Sequence, residues 1–413
     1  VTSDGLARRL GTGDAVVVGL SAMVGAGVFA VFGPAAQAAG TGVAVALVVA
    51  AVVAFCNATS SAQLAQAHPA SGGTYLFGRV VLGPWWGFTA GWGFVVGKTA
   101  SCAAMALTFA AYAVPAGGWW QRSAAAGAVV LLTLANLRGV TRTAAVARVL
   151  LAATLAALLL FLLVAGTGTP EPTPAPLPAA SPAGVLQAAG LLFFAFAGYA
   201  RIATLAEEVR RPAMLGRAVL VALGVAVALY LAVGLTLVRT LGSGLAGATS
   251  PLADALDAVG AGWAGPVVRL GAAVASLGAL LALLAGVGRT TLAMARERDL
   301  PGPLASVDPR HRVPDRAQVA IGAAVVVLVL AVDLRGAIGF SSCGVLVYYA
   351  VANLSALRQP PEQRRWPRVL QVLGLTGCVV LVVTLPPVSV VAGLAVLAAG
   401  LAGRRLVLGR RAG

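Results

Sequence analysis

Three groups of residues stand out as able to do chemistry within otherwise apolar sequence. The first is Gly25-Ala26-Gly27, two glycines flanking one alanine near the middle of an apolar run. Glycine weakens a helix by about 1 kcal/mol relative to alanine. It also lets the backbone leave helical geometry without a side-chain clash. The second is Gly198, again mid-run, in Phe193-Phe-Ala-Phe196-Ala-Gly198-Tyr199-Ala-Arg201. The third is a pair of charges inside such runs: Lys98, the only lysine in the chain, and Arg201. A charge at membrane depth costs at least about 2.5–3.5 kcal/mol on insertion scales, so each needs a partner or a task.

Paired breaks imply recognition of opposite charges. A broken helix frees N–H and C=O groups, which a membrane tolerates only when they are buried in protein or line a wet cavity. N–H groups at a half-helix N-terminus attract an anion; carbonyls at a half-helix C-terminus attract a cation or ammonium. A zwitterionic amino acid has one of each, whatever its side chain. Alone, the Gly25/Gly27 pair fits close helix packing through small residues equally well. The second interruption, five spans later, is the pointer to an inverted-repeat transporter.

The elements that must position these residues follow from composition. Of 413 residues, 59% are hydrophobic and 10% charged. Mean hydropathy is +0.93. Soluble domains carry about 25% charged residues, so a water-soluble globule and a disordered chain are both excluded. A crossing helix needs about 20 apolar residues. The runs predict twelve spans, at about 15–39, 43–66, 85–113, 123–137, 144–165, 184–206, 217–238, 265–291, 317–333, 336–357, 368–385 and 388–403. The runs are long and do not alternate, which favours helices over barrel strands. Arg8 and Arg9 before the first run mimic a signal peptide. The length of the run, with Gly25, Gly27 and Pro34 in it, makes it span 1 instead.

The formal charge is +16. No basic stripe with interleaved aromatics accompanies it, so nucleic acid is not an expected partner. With a cytoplasmic N-terminus, 23 basic residues fall in inside loops and tails. Only Arg122, Arg239, Arg269 and Arg335 fall outside, and Lys98 and Arg201 lie within spans. This bias predicts N-in, C-in topology in the cytoplasmic membrane. Thr167–Pro182 holds six prolines and is expected to be a non-helical outside loop. Gly242–Gly247 matches G-x-G-x-x-G but follows no strand, so no nucleotide site is expected there. The four cysteines lie inside apolar runs and act as small hydrophobes. No metal site or cofactor is expected, and the spans lack a His/Asp/Glu cluster for enzyme chemistry.

Several segments together resemble the amino acid–polyamine–organocation (APC) superfamily of transporters. They are Gly25-Ala-Gly27-Val-Phe29; His68-Pro-Ala-Ser-Gly72-Gly73-Thr-Tyr75, leading to Gly83 and Gly91-Trp92; and Asn136-Leu-Arg-Gly139-Val. Phe193–Gly198 followed by Glu207-Glu208-Val-Arg-Arg-Pro212, and Ala293-Met294-Ala-Arg296 through Pro301, complete the set. Their order covers nearly the whole chain. The resemblance implies an all-α membrane protein with 12 transmembrane helices and a leucine-transporter-type 5+5 inverted repeat, helices 1 and 6 being discontinuous. The first repeat would be 15–165, after a cytoplasmic N-terminus at 1–14. A Pro-rich extracellular loop would occupy 166–183 and the second repeat 184–357. Spans 11–12 and a basic tail would fill 358–413. It implies secondary transport of amino acids or related amines; the expected function is transport of an amino acid, proton-coupled or by exchange.

By the same resemblance, the N–H groups of Gly25, Ala26, Gly27 and Val28 would hold a carboxylate. The carbonyls of Phe194, Ala195, Phe196 and Ala197, ahead of Gly198, would hold the ammonium. Phe29 and Tyr199 would either wall the side-chain pocket or pack in the core. Two departures matter. Proton-coupled relatives often carry a lysine in span 5, where this chain has Thr154. Ala279–Gly288 offers no hydroxyl or carboxylate, which counts against sodium, since hard cations want oxygen ligands. The usual span-5 proton carrier is thus absent, and backbone carbonyls could still serve sodium; a proton is the expected coupling ion, ahead of sodium. Lys98 is read as its carrier, or as a charge filter for substrate, or as a structural lysine held by a carbonyl or Glu207 or reaching the interface. Arg201 would pair with Glu207 or Glu208 as a gate, or meet an anionic substrate. Two positive residues favour a neutral or acidic amino acid over a basic one. A basic amino acid or polyamine antiporter is the alternative within the class, and a transporter-like sensor the alternative outside it. The oligomeric state is not legible.

Overall fold

The computed structural model describes residues 12–68, 72–140, 144–199 and 215–412. The described residues form helices joined by turns and short 3-10 segments. Arg201 and Glu207 lie outside the described residues.

The first apolar run is interrupted as expected. It forms α1 (Thr12–Met23), a break, α2 (Gly27–Ala30) and α3 (Phe32–Ala39). Then come α4 (Val43–Ala67), the short α5 (Gly73–Val81), α6 (Pro84–Ala113), α7 (Gly118–Leu137) and α8 (Ala144–Thr167). The proline-rich stretch is non-helical, because proline removes a donor and clashes within a helix. Ser181 caps α9 (Pro182–Phe196), accepting from Gly184 N–H. The segment Ala197–Tyr199 tightens into a 3-10 turn.

The second half contains α10 (Leu215–Leu241), the short α11 (Pro251–Ala258) and α12 (Gly265–Arg296). It continues with α13 (Asp315–Ala331), α14 (Leu334–Arg358), α15 (Arg368–Thr384) and α16 (Pro387–Ala412). Gly242–Gly247 is a 3-10 turn.

Among the described residues, nine helical segments are long and apolar enough to cross a membrane. Three further helices stand where spans 4, 9 and 11 are expected. These are α7, with Gln121 and Arg122 in its first turns, and α13 and α15, each of 17 residues.

Packing follows from small residues. The backbones of α6 and α14 nearly touch: a Cβ on Gly344 would lie 2.7 Å from Gly93 O and 2.9 Å from Gly97 Cα. Without a hydrophobic drive between helices in lipid, such close approach is what holds them together. The perimeter exposes Leu131, Val149, Leu163, Val327 and Val388. Trp85, Trp86, Trp119, Trp120 and Trp263 are exposed at or beside helix starts, as expected of aromatic residues at a membrane interface.

Candidate substrate site

The break in the first run meets the end of α9, where the helix stops at Phe196 and forms the second break. A Cβ on Gly27 would lie 2.8 Å from Ala195 Cα, so the span-1 break packs against the last turn of α9. A Cβ on Gly198 would land on the carbonyl of Ala22, at the end of α1. Only glycine permits these two approaches.

At the first break the helix bonding stops and restarts. Val24 N–H donates to Leu20 O and Gly25 N–H to Met23 O. Phe29 N–H donates to Ala26 O, which opens the next turn. The first N–H groups of a restarted helix have no intrahelical partner. Ala26, Gly27, Val28 and Phe29 are all buried. Phe29 packs its ring edge-on to Tyr112, with centroids 5.7 Å apart, and its carbonyl accepts from Tyr112 Oη. The same hydroxyl accepts from Leu252 N–H on α11 at 3.4 Å, which ties that short helix to the break.

Side chains from distant helices dress the second break. Phe194 O accepts the N–H of Ala197. Tyr230 Oη, from α10, stands 3.2 Å from Ala195 O and 2.8 Å from Met23 O, bridging both breaks. Ala197 O accepts from Lys98 Nζ at 3.1 Å and from Tyr349 Oη at 3.4 Å. Lys98 is thus brought from the middle of α6 to the break itself. Phe194, Phe196 and Tyr199 are buried. Tyr199 stacks on Tyr349 at 5.0 Å, and Phe196 meets Tyr230 at 5.1 Å.

Tyr230 and Tyr349 were not legible as site residues. The available signal was a tyrosine in an apolar run, whose hydroxyl needs a partner once buried. A polar core beside the site was also missed. Asn353 Nδ2 donates to Asn57 Oδ1 at 2.6 Å, and Ser60 Oγ donates to Asn353 Oδ1 at 2.7 Å, joining α4 to α14. Thr154 is buried and bonded to Leu150 O of its own helix. Ser276 lies three residues before the hydroxyl-free stretch of α12, and its buried hydroxyl has no hydrogen-bond partner.

A separate ionic cluster lies away from the breaks. Asp299 pairs with Arg79 and with Arg404, each at 2.9 Å, and Tyr75 Oη donates to it at 2.8 Å. Burial, then the Asp299 carboxylate, pushes the Tyr75 hydroxyl above its ordinary range. Arg404 also lies over the rings of Trp85 and Phe88. Asp254, on α11, is held above the usual carboxylate range by burial, against the hydrogen bond from Ser250.

Residues 10–400 match the amino acid permease family. The chain belongs to that family. The permease is 54% identical to an uncharacterized transporter of Mycobacterium tuberculosis, over 99% of this chain and 94% of the relative. It is 27% identical to the branched-chain amino acid permease of Bacillus subtilis, over 96% and 92% respectively. It is 28% identical to cationic amino acid transporter 4 of Homo sapiens, over 85% of this chain and 60% of the relative. The permease is therefore an integral membrane protein of a family that transports amino acids.

Proposed function

We propose that this permease carries a neutral amino acid across the cytoplasmic membrane, coupled to protons or by exchange. The observation that carries this is the meeting of two helix breaks, Gly27 against Ala195 and Gly198 against Ala22. In this reading the amides of Gly25, Ala26, Gly27 and Val28 receive the carboxylate. The carbonyls from Phe194 to Ala197 receive the ammonium. Lys98, held at Ala197 O, acts as the coupling group or the charge filter. Its positive charge disfavours a second cation in the side-chain pocket. That separates this reading from a basic amino acid or polyamine antiporter, a reading favoured by the cationic transporters among the relatives.

A twelve-span, 5+5 inverted repeat is part of the reading. Shifting each span by five exchanges the helix pairs in contact. The packing of α4 on α9 answers that of α10 on α1, and α6 on α14 answers α12 on α8. The pairs α6 with α12, α7 with α13 and α4 with α10 map onto themselves. The short helices α5 and α11 also correspond. N-in, C-in topology rests on the arginine bias between loops.

The test is uptake of a radiolabelled amino acid panel into proteoliposomes, with and without an inward proton gradient and with internal unlabelled substrate. Accumulation driven by the gradient supports symport. Uptake only with internal substrate supports exchange. Uptake of basic amino acids alone favours the antiporter, and no uptake of any amino acid ends the reading.

A further inference from the structure

Lys98 places an ammonium group where the break in the first run meets the end of α9. Its Nζ donates to Ala197 O at 3.1 Å, and its residue exposure is 7%. None of the ion pairs among the described residues includes it. The helix α9 ends at Phe196, so this cation sits at the negative end of a helix dipole. An ammonium has three donors, and one of them is used on Ala197. Gly198, the next residue, abuts the carbonyl of Ala22 on the other broken helix. Phe196, Tyr199 and Tyr349 supply aromatic surface beside it. A free amino acid would bring its own ammonium to this carbonyl; here one is already tethered.

We propose that the site also takes small apolar carboxylates that lack an α-amino group, with Lys98 supplying the missing ammonium. Such an acid pairs with Nζ while Lys98 keeps its bond to Ala197. The ion pair forms away from water, where charges attract more strongly than in bulk solvent. An amine of the same shape meets a like charge at the carbonyl it needs, and binds only by driving Lys98 away. The proposal rests on reading the two breaks as the substrate site.

The test compares two fragments of one skeleton, 4-methylpentanoate and 3-methylbutylamine, as inhibitors of exchange in proteoliposomes at equal pH on both sides. The label is whichever amino acid of the panel the wild-type permease moves fastest. The acid is expected to inhibit the wild type at least about tenfold more strongly than the amine. Lys98→Met should reverse that order, and Lys98→Arg should keep it. An acid no stronger than the amine on the wild type overturns the proposal, whether or not either variant folds. If the wild type exchanges no amino acid, it is the transport reading that fails. The proposal is then decided by the thermal midpoint of the purified wild type. A rise with the acid and not with the amine supports it, and no rise with the acid overturns it.

Discussion

The two breaks at the centre of the permease differ in what surrounds them. The break between Met23 and Gly27 presents backbone amides, and among the described residues no side chain bonds to the amides of Gly25, Ala26 or Gly27. The break after Phe196 presents carbonyls already engaged by Lys98, Tyr230 and Tyr349. In the proposed reading the first break is the anion half, and there space decides: a Cβ on Gly27 would strike Ala195, and one on Gly25 would press on the Ala279 side chain at 3.0 Å. In the same reading the second break is the cation half, and there an incoming ammonium competes with Lys98 for Ala197 O, beside hydroxyls from two further helices. That reading predicts affinity set by close packing at the first end and by side chains at the second.

The largest effect should come from filling the shared space. Gly198→Val puts a side chain on the Ala22 carbonyl, which is rigid backbone. It should abolish uptake per folded protein in proteoliposomes; wild-type uptake would mean that the breaks do not meet as described. Gly27→Ala is milder. Its Cβ would lie 2.8 Å from Ala195 Cα, and overpacking of this kind costs about 1–3 kcal/mol, read as a fall in Tm.

A control away from both breaks sharpens the comparison. The side chains of Asp299 and Arg404 are 3% and 6% exposed. Asp299→Asn leaves a buried guanidinium without its countercharge, at a cost of about 3 kcal/mol. Tm should drop while the half-saturation concentration of the remaining folded protein holds. A change in half-saturation alone would tie this cluster to substrate.

Tyr230→Phe removes the hydroxyl that bridges Met23 O and Ala195 O. One net hydrogen bond is worth about 1 kcal/mol, so half-saturation should shift by roughly fivefold. An unchanged value would mean that the carbonyl half does not depend on its side chains. Thr154→Val should have the smallest effect, within about 0.5 kcal/mol, since its hydroxyl serves only its own helix. A change in coupling there would return proton handling to span 5.

Much of this architecture was legible in the sequence because the solvent is a bilayer. Long apolar runs give helix ends within a few residues, as for α4 and α6. Glycines in mid-run give the breaks. The proline-rich stretch before Pro182 gives the loop. Who meets whom at the breaks was not legible. Lys98 stands 99 positions from Ala197, and Tyr230 stands 207 from Met23. Periodicity cannot reveal such pairs when helices are apolar on every face. The Asn57–Asn353 bond was hidden for the same reason, since nothing in either run says which polar group of another run it faces. Arg201 and Glu207, expected at the gate, fall outside the described residues.

The most direct measurement is a structure of the permease with its best-transported amino acid bound. The account predicts the carboxylate against the amides of residues 25–28 and the ammonium at the Ala197 carbonyl, with Lys98 Nζ moved off that oxygen. Ligand bound elsewhere, with Lys98 still on Ala197, would contradict it.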